Sequence, residues 1–107
     1  MEKSLLIQFL GENPIFKIID TLLDNKGLEL TKKDILEATE ISRATLFKVW
    51  PQLEENEIVR VTRKFGKTKL YAINSQNPLV RKLFELERIL IGKAFDKRRE
   101  IEVIARA

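Results

Sequence analysis

The sequence predicts a small, mainly α-helical domain with one β-hairpin, an α+β fold, within 107 residues. Helix-starting residues recur along the first half of the chain, and a β-branched, basic stretch surrounds Gly66. No proline follows Pro78, so the last part of the chain is free to form one long helix. A chain of this length supports one modest core rather than two.

Composition excludes several classes of protein. The chain is 44% apolar and 34% charged, which is typical of a folded globular domain rather than a disordered one. No apolar run approaches the ~18 residues of a membrane span, and the N-terminus lacks a signal-peptide layout. We therefore expect a cytoplasmic protein with no membrane partner, and its richness in Ile, Leu, Lys and Glu is typical of a thermophile.

Chemistry-bearing motifs are also missing. The sequence has no Cys and no His, which removes thiolate and imidazole ligands and the commonest general base. It contains no Gly-rich phosphate loop. Asp20 and Asp24 lie one helical turn apart, but a solvated helix face explains them better than a catalytic pair. We therefore expect no enzyme, no metal and no cofactor.

Two helices and a short strand are predicted before residue 31. The segment SLLIQFLGE forms a short helix that Gly11 stops. A longer helix starts at Asn13-Pro14, because Asn caps a helix and Pro at the first position forfeits an amide that had no partner. The helix is predicted to run from Pro14 to Lys26 with an apolar stripe that ends at Leu23, and Gly27 is expected to end it. Residues 28–30 (LEL) then form a single edge strand.

Two further helix starts follow at close spacing. Thr31 begins a helix with Asp34 three residues later, as in a capping box, and Ser42 caps the next helix eleven residues after Thr31. Caps this close, with a tight turn between them, predict a helix-turn-helix, although any αα-hairpin gives the same spacing. The residues expected to face inward from the first of these helices are Ile35, Leu36 and Ala38.

The helix predicted over residues 42–55 has an unusual outer face. At 100° per residue, its core-facing residues are Leu46, Val49, Trp50 and Leu53. The first two turns of its outer face carry small, polar or positive side chains, and acids appear only at Glu54 and Glu55. Such a face approaches phosphate without repulsion. Pro51 is expected to kink or restart the helix, which would leave 43–50 as its effective outer part.

The segment 60–73 (RVTRKFGKTKLYAI) alternates like a β-hairpin that turns at Gly66. Between Glu57 and Glu85 the chain has seven basic residues and no acid. Residues 1–40 carry five basic and eight acidic residues, whereas residues 41–74 carry seven and three. This localised charge indicates a polyanion-binding face; the alternative is a merely solubilising surface.

The run ISRATLFKVWPQLEENEIVRVTRKFGKTKLYAIN resembles winged helix-turn-helix transcriptional regulators of the ArsR/MarR-like type, especially archaeal ones. The resemblance covers roughly residues 14–74. It rests on the Ser-x-x-Thr opening, the Leu-Glu-Glu-x-x-Ile-Val exit and the basic tip followed by Tyr. It implies a DNA-binding domain over residues 1–76, with helix 42–55 in the major groove and the wing, 60–69, on the backbone or minor groove.

Double-stranded DNA is the partner that the resemblance implies. The helix residues expected to bind it are Ser42, Arg43, Ala44, Thr45, Phe47, Lys48 and Gln52. The wing residues expected to bind it are Arg63, Lys64, Phe65, Lys67 and Lys69. Phe65 either lines the minor groove or folds back onto the hairpin, and Arg60 and Lys69, nearer the strand bases, are either contacts or merely solvated.

The tail, residues 77–107, begins at a second Asn-Pro and carries two adjacent apolar stripes. Leu79, Leu83, Leu86 and Leu90 form one, and Val80, Phe84, Ile91 and Phe95 form the other. A stripe this broad exceeds what one side of a small domain covers. In regulators of the resembled class this helix pairs two subunits, which implies a homodimer with the helix also packed on its own domain. The residues expected at the dimer contact are Leu79, Leu83, Leu86, Leu90, Ile91 and Phe95.

Other interpretations of the tail and of the whole chain stay open. Both apolar stripes pack, in the alternative view, against the N-terminal helix of the same chain, and residues 96–107 either extend the helix or fray. The protein as a whole is expected to be a dimeric, sequence-specific regulator. The alternatives are a winged-helix protein-interaction module of a larger assembly and a nonspecific chromatin-like DNA binder. The sequence shows no sign that identifies an effector.

Overall fold

The computed structural model describes the backbone of residues 3–106 and the side chains of residues 3–99 and 101. Its elements, in chain order, are α1 (Leu5–Leu10), α2 (Pro14–Asp24), α3 (Lys32–Thr39), α4 (Arg43–Glu55), β1 (Val59–Phe65), β2 (Thr68–Ile73) and α5 (Pro78–Arg106). The predicted fold class, mainly α-helical with one antiparallel hairpin, is confirmed.

Local capping explains where the helices begin. Asn13 Oδ1 accepts a hydrogen bond from the Ile15 amide at 2.8 Å, and Pro14 occupies the first position of α2. Thr31 and Asp34 form a reciprocal capping box, with distances of 3.0 and 2.9 Å between hydroxyl or carboxylate and amide. These helix starts were predicted from the sequence and are confirmed.

Two expectations about α2 and the segment after it need correction. The helix ends at Asp24 rather than just before Gly27, because the Asn25 side-chain amide donates to the Thr21 carbonyl at 2.7 Å and closes the last turn. The expected strand at 28–30 is reduced to one bridge, in which the backbones of Leu30 and Tyr71 exchange hydrogen bonds of 2.7 and 2.8 Å.

The inner face of α3 also differs from expectation. Ala38 is exposed and Thr39 is buried. The hydroxyl of Thr39 donates to the Ile35 carbonyl at 2.7 Å, which satisfies its polar group and allows its methyl group to join the core. Glu40 then ends the helix in the left-handed conformation, with φ of 59°.

Helix α4 runs without interruption from Arg43 to Glu55 through Pro51, so the expected restart at Pro51 is wrong. Proline removes one backbone hydrogen bond, to the carbonyl of Phe47, and crowds the preceding turn. Buried side chains lie on both sides of this position, at Trp50 and Leu53. Packing of these residues holds the helix together across the missing bond.

The hairpin follows directly, with Glu57 at φ 55° in the turn between α4 and β1. Gly66 turns the chain with φ of +58°, a conformation that favours glycine. The register shifts between Val61, which faces Tyr71, and Arg63, which faces Leu70, so that Thr62 forms a bulge in β1. A bulge of this kind bends the strand and increases its twist.

The core lies where α2, α4, the base of the hairpin and the first turns of α5 meet. Its fully buried side chains are Leu6, Ile18, Leu22, Ile35, Leu46, Leu53 and Val80. The molecule measures 63 × 28 × 20 Å along its principal axes. Among the residues that the structure describes, no helix combines the length and apolar composition that crossing a bilayer requires.

Candidate nucleic-acid interface

The N-terminal half of α4 presents polar and cationic side chains to solvent. Ser42 Oγ accepts from the Thr45 amide at 3.1 Å and donates to the Thr45 hydroxyl at 2.8 Å, which fixes the start of the helix. Thr45 is half-buried. The other residues predicted for this face are exposed: Arg43, Ala44, Phe47, Lys48 and Gln52. The first turn carries no acid, so its amide dipoles and side chains together favour anions.

The wing tip carries the other residues of the predicted DNA-binding set. Lys64, Phe65, Lys67 and Lys69 are exposed, and the Phe65 side chain keeps 59% of its surface in solvent. Among the described residues, Arg63 is the one basic side chain of the wing that forms an ion pair, with Glu29. Its guanidinium also lies 5.5 Å from the centre of the Phe65 ring.

A groove of about 510 Å³ joins the helix to the wing. Five cationic side chains line it, and no carboxylate belongs to the described residues of its wall: Lys32, Lys33, Arg43, Lys67 and Lys69. We call this feature the basic groove. Phe47 and Tyr71 contribute aromatic surface to the same wall. The structure thus brings together predicted residues from α4 and from the wing that are at least 20 positions apart in sequence.

Lys32 and Lys33 are two residues of this groove that the sequence analysis missed. Both lie in the first turn of α3, where the positive end of the helix dipole disfavours cations. The sequence did carry one signal for these two lysines, which is their position directly after the Thr31 cap. In the structure Thr31 and Arg43, at the start of α4, line the same groove. The two cations add to the positive charge of the basic groove.

Lys32 is held by aromatic rings. Its ammonium lies 5.3 Å from the ring centre of Phe47, 5.2 Å from Trp50 and 5.8 Å from Tyr71. Trp50 and Tyr71 meet edge to face, with ring centres 4.9 Å apart. Burial raises the pKa of Tyr71, and the charge of Glu54 raises it further. These contacts fix α3, α4 and β2 relative to one another behind the basic groove.

The residues predicted for a dimer contact differ in their exposure to solvent. Leu83, Leu86 and Leu90 are half-buried against the core of the same chain. Leu79, Ile91 and Phe95 are exposed. A hollow of about 230 Å³ lies beside α5 and the start of α1, lined by Leu5, Ile91, Ala94, Phe95 and Arg98.

An acidic cluster occupies the contact between α2 and α5. Carboxylate oxygens of Asp20, Asp24 and Glu87 lie within 4.8 Å of one another. Burial raises the pKa of Asp24 and of Glu87, and the charges of the neighbouring carboxylates raise them further. Ser4 Oγ donates to Asp20 Oδ1 at 2.8 Å. None of these carboxylates belongs to the wall of the basic groove.

Known structures share this architecture. NadR, crystallised in complex with 4-hydroxyphenylacetate, is 20% identical and superimposes with a TM-score of 0.62 over 91% of this chain and 67% of its own. Sso10a-2, a DNA-binding protein from Sulfolobus solfataricus, is 15% identical, with a TM-score of 0.52 over 85% of this chain and 95% of its own.

The PcaV transcriptional regulator from Streptomyces coelicolor, in complex with its natural ligand, is 16% identical, with a TM-score of 0.56 over 96% of this chain and 81% of its own. No protein-family model matches the chain, and no curated protein matches it significantly. At these identities the likeness shows the fold alone. This chain has the winged helix-turn-helix fold, in which α3 and α4 form the helix-turn-helix and the β1–β2 hairpin is the wing.

Proposed function

We propose that this protein is a transcriptional regulator that binds specific sites on double-stranded DNA as a homodimer. The observation that carries the proposal is the basic groove, in which cations from α3, α4 and the wing converge with no carboxylate among the described wall residues. Each phosphate that such a groove neutralises releases condensed counterions, which favours binding. Two of the structural neighbours are a DNA-binding protein and a transcriptional regulator, which supports the same proposal.

In this proposal α4 reads the DNA sequence. Its exposed residues, Arg43, Lys48 and Gln52 together with Thr45, enter the major groove, where side chains meet the edges of the bases. Ser42, Ala44 and Phe47 lie at the same surface and allow close approach. The wing lies on the DNA backbone, where Lys64, Lys67 and Lys69 contact phosphates and Phe65 lies at the minor groove. Lys32 and Lys33 extend the phosphate contact across the basic groove.

The proposal gives two parts of the chain different roles. Residues 1–76 are the DNA-binding domain, and residues 77–107 are the dimerisation segment, whose helix packs on the same domain and pairs with a second copy. The ArsR/MarR-like type, the archaeal source and the cytoplasmic location belong to this proposal, and one structural neighbour comes from Sulfolobus solfataricus. Homodimers of this kind present two recognition helices to two half-sites.

The test begins with selection of bound sequences from a random duplex pool, followed by salt titrations on a selected and a scrambled site. Thr45→Ala and Lys48→Ala should reduce the preference for the selected site, because a contact to a base edge discriminates by about 1–3 kcal/mol when bidentate and by less for a single bond. Lys64→Ala, Lys67→Ala and Lys69→Ala should weaken both duplexes alike. Each should also flatten the slope of log affinity against log salt by about 0.9.

The matched control is Lys17→Ala, because Lys17 lies beside Glu12 and Asp20 and does not belong to the wall of the basic groove. It should leave both duplexes unaffected. Loss of preference in the wing variants alone would reverse the assigned roles. Equal affinity of the unmodified protein for all duplexes would favour a nonspecific binder, and the absence of any DNA binding would favour a protein-interaction module.

A further inference from the structure

Glu29 connects the segment before α3 to the wing. One of its carboxylate oxygens, Oε2, accepts hydrogen bonds from the Thr62 hydroxyl at 2.7 Å and from Arg63 Nε at 2.8 Å. Glu29 precedes the helix-turn-helix and lies more than 30 positions before both partners in sequence. It supplies the one carboxylate that the described residues place in ion-pair contact with a basic residue of the wing.

The contact falls at the point where β1 changes register. Thr62 is the bulged residue, and its hydroxyl also lies 3.3 Å from the Leu70 carbonyl of β2. The residue after Glu29, Leu30, is bonded through its backbone to Tyr71 of β2. Residues 29 and 30 therefore hold both strands, β2 through the backbone and β1 through a side chain, at the bend that sets the direction of the tip.

The contact with Glu29 also affects the ionisation of Arg63 and connects its side chain to the tip of the wing. Its hydrogen bond to Glu29 lowers the pKa of that carboxyl group and raises the pKa of the guanidinium, so both groups stay charged at neutral pH. The guanidinium also covers the ring of Phe65, which links the carboxylate to the aromatic residue at the tip. Lys64, Lys67 and Lys69 have no such partner among the described residues.

We propose that Glu29 stands in the place of a DNA phosphate for Arg63, and that the pair positions the wing instead of contacting the DNA backbone. This inference rests on the proposed function and replaces one expectation from the sequence, in which Arg63 is a DNA-binding residue of the wing. A carboxylate and a phosphate compete for the Nε edge of the guanidinium, which Glu29 occupies. A phosphate that binds Arg63 at this edge displaces Glu29, whereas the lysines bind phosphate without giving up an internal partner.

The first experiment measures the salt dependence of DNA binding in four variants: Arg63→Ala, Glu29→Gln, the double variant, and Lys67→Ala as the matched control. Lys67→Ala should flatten the slope of log affinity against log salt by about 0.9. Arg63→Ala should leave this slope unchanged and lower affinity at every salt concentration, because the tip loses its orientation. In the Glu29→Gln variant Arg63 has lost its carboxylate partner and is free to bind phosphate. Adding Arg63→Ala to this variant should therefore flatten the slope by about 0.9.

The second experiment needs no DNA and measures amide hydrogen exchange of residues 64–68 in the free protein. Glu29→Gln and Arg63→Ala should both accelerate exchange at the tip, by at least about threefold, while Lys67→Ala should not. Unchanged protection of the amides in α4 would show that the variants remain folded.

The outcomes separate the inference from the function on which it rests. A flattened slope for Arg63→Ala in the otherwise unmodified protein would show a phosphate contact and overturn the inference. Unchanged affinity and unchanged tip exchange in that variant would overturn it as well. If the unmodified protein binds no duplex, the proposed function fails, and the exchange experiment alone decides whether Glu29 and Arg63 position the hairpin.

Discussion

Helices α4 and α5 both carry apolar residues at helical spacing, but the molecule covers them differently. Every strongly apolar position on the inner side of α4 is buried or half-buried, and Leu46 is wholly inaccessible to solvent. In α5 the apolar residues begin at Val80, equally buried, and continue to Ile91 and Ile101, which are exposed. The residues between Val80 and Ile91 that pack against the core end at Leu90.

The difference shows that the rest of the chain covers the apolar face of α4 but leaves part of the apolar surface of α5 exposed. A helix of 29 residues is about 43 Å long, which exceeds the two shorter dimensions of the molecule. Three apolar side chains that the structure describes in its C-terminal half are exposed: Ile91, Phe95 and Ile101. This geometry supports the proposed homodimer and moves its centre from the leucines near residue 83 toward Ile91 and Phe95.

The largest expected effect compares the two sides of α4. Leu46→Ala should lower the free energy of unfolding by about 3 kcal/mol, because it leaves a cavity in a packed core. Phe47→Ala, on the outer side, should cost less than about 1 kcal/mol, since that ring is 52% exposed. Urea denaturation at one fixed protein concentration measures both. Equal losses would contradict the assignment of inner and outer faces.

A smaller effect tests the uncovered part of α5. Phe95→Glu should weaken self-association by at least about tenfold, equivalent to 1.4 kcal/mol, by placing a charge in the proposed contact. Ile89→Glu is the matched control, because Ile89 is 56% exposed and points about 120° away around the helix. Sedimentation across a range of concentrations compares the two. A monomer in the unmodified protein, or equal weakening by both changes, would refute the proposed contact.

The smallest effect concerns the covered part of α5, where Glu87 meets the carboxylates of α2. The folded protein raises the pKa of Glu87 above its ordinary 4.5, so this group stabilises the fold at low pH and loses that contribution as pH rises through the folded value. Glu87→Gln should therefore raise the free energy of unfolding at neutral pH by roughly 0.5 kcal/mol.

The gain should be smaller at pH 4, because a larger fraction of the wild-type carboxyl is protonated in the folded protein there than at neutral pH. Glu85→Gln is the control, because Glu85 is exposed and pairs with Lys82 at 3.3 Å. Thermal unfolding of the three proteins at both pH values measures the difference. An equal gain at the two pH values would show that charge repulsion is not its cause.

Sequence reasoning succeeded where the cause of a structure is local. The starts of α2, α3 and α4 follow from Asn13, Thr31 and Ser42, whose side chains bond to amides two or three residues away. The hairpin turn follows from Gly66. It failed at Pro51, because local chemistry predicts a break there and packing by residues distant in sequence overrides it. It also placed Ala38 in the core instead of Thr39, because it missed the hydrogen bond from the Thr39 hydroxyl to the Ile35 carbonyl that allows Thr39 to be buried.

The candidate site was predictable only in part, for the same reason. The basic character of the wing and the acid-free start of α4 are visible in the sequence. The partners Glu29 and Arg63 are 34 positions apart, and no local pattern connects them. Lys32 meets three aromatic rings from two other elements, so its place in the basic groove depends on the assembled fold.

The bulge at Thr62 has a further consequence, for the edges of the sheet. The hairpin is a two-stranded sheet, and Leu30 covers part of the outer side of β2 by pairing with Tyr71. The outer side of β1 has no such cover among the described residues. A flat, uncharged strand there would invite pairing with a hairpin of another molecule. The bend at Thr62 and the charges of Arg60 and Lys64 therefore disfavour edge-to-edge pairing of the wings of two molecules.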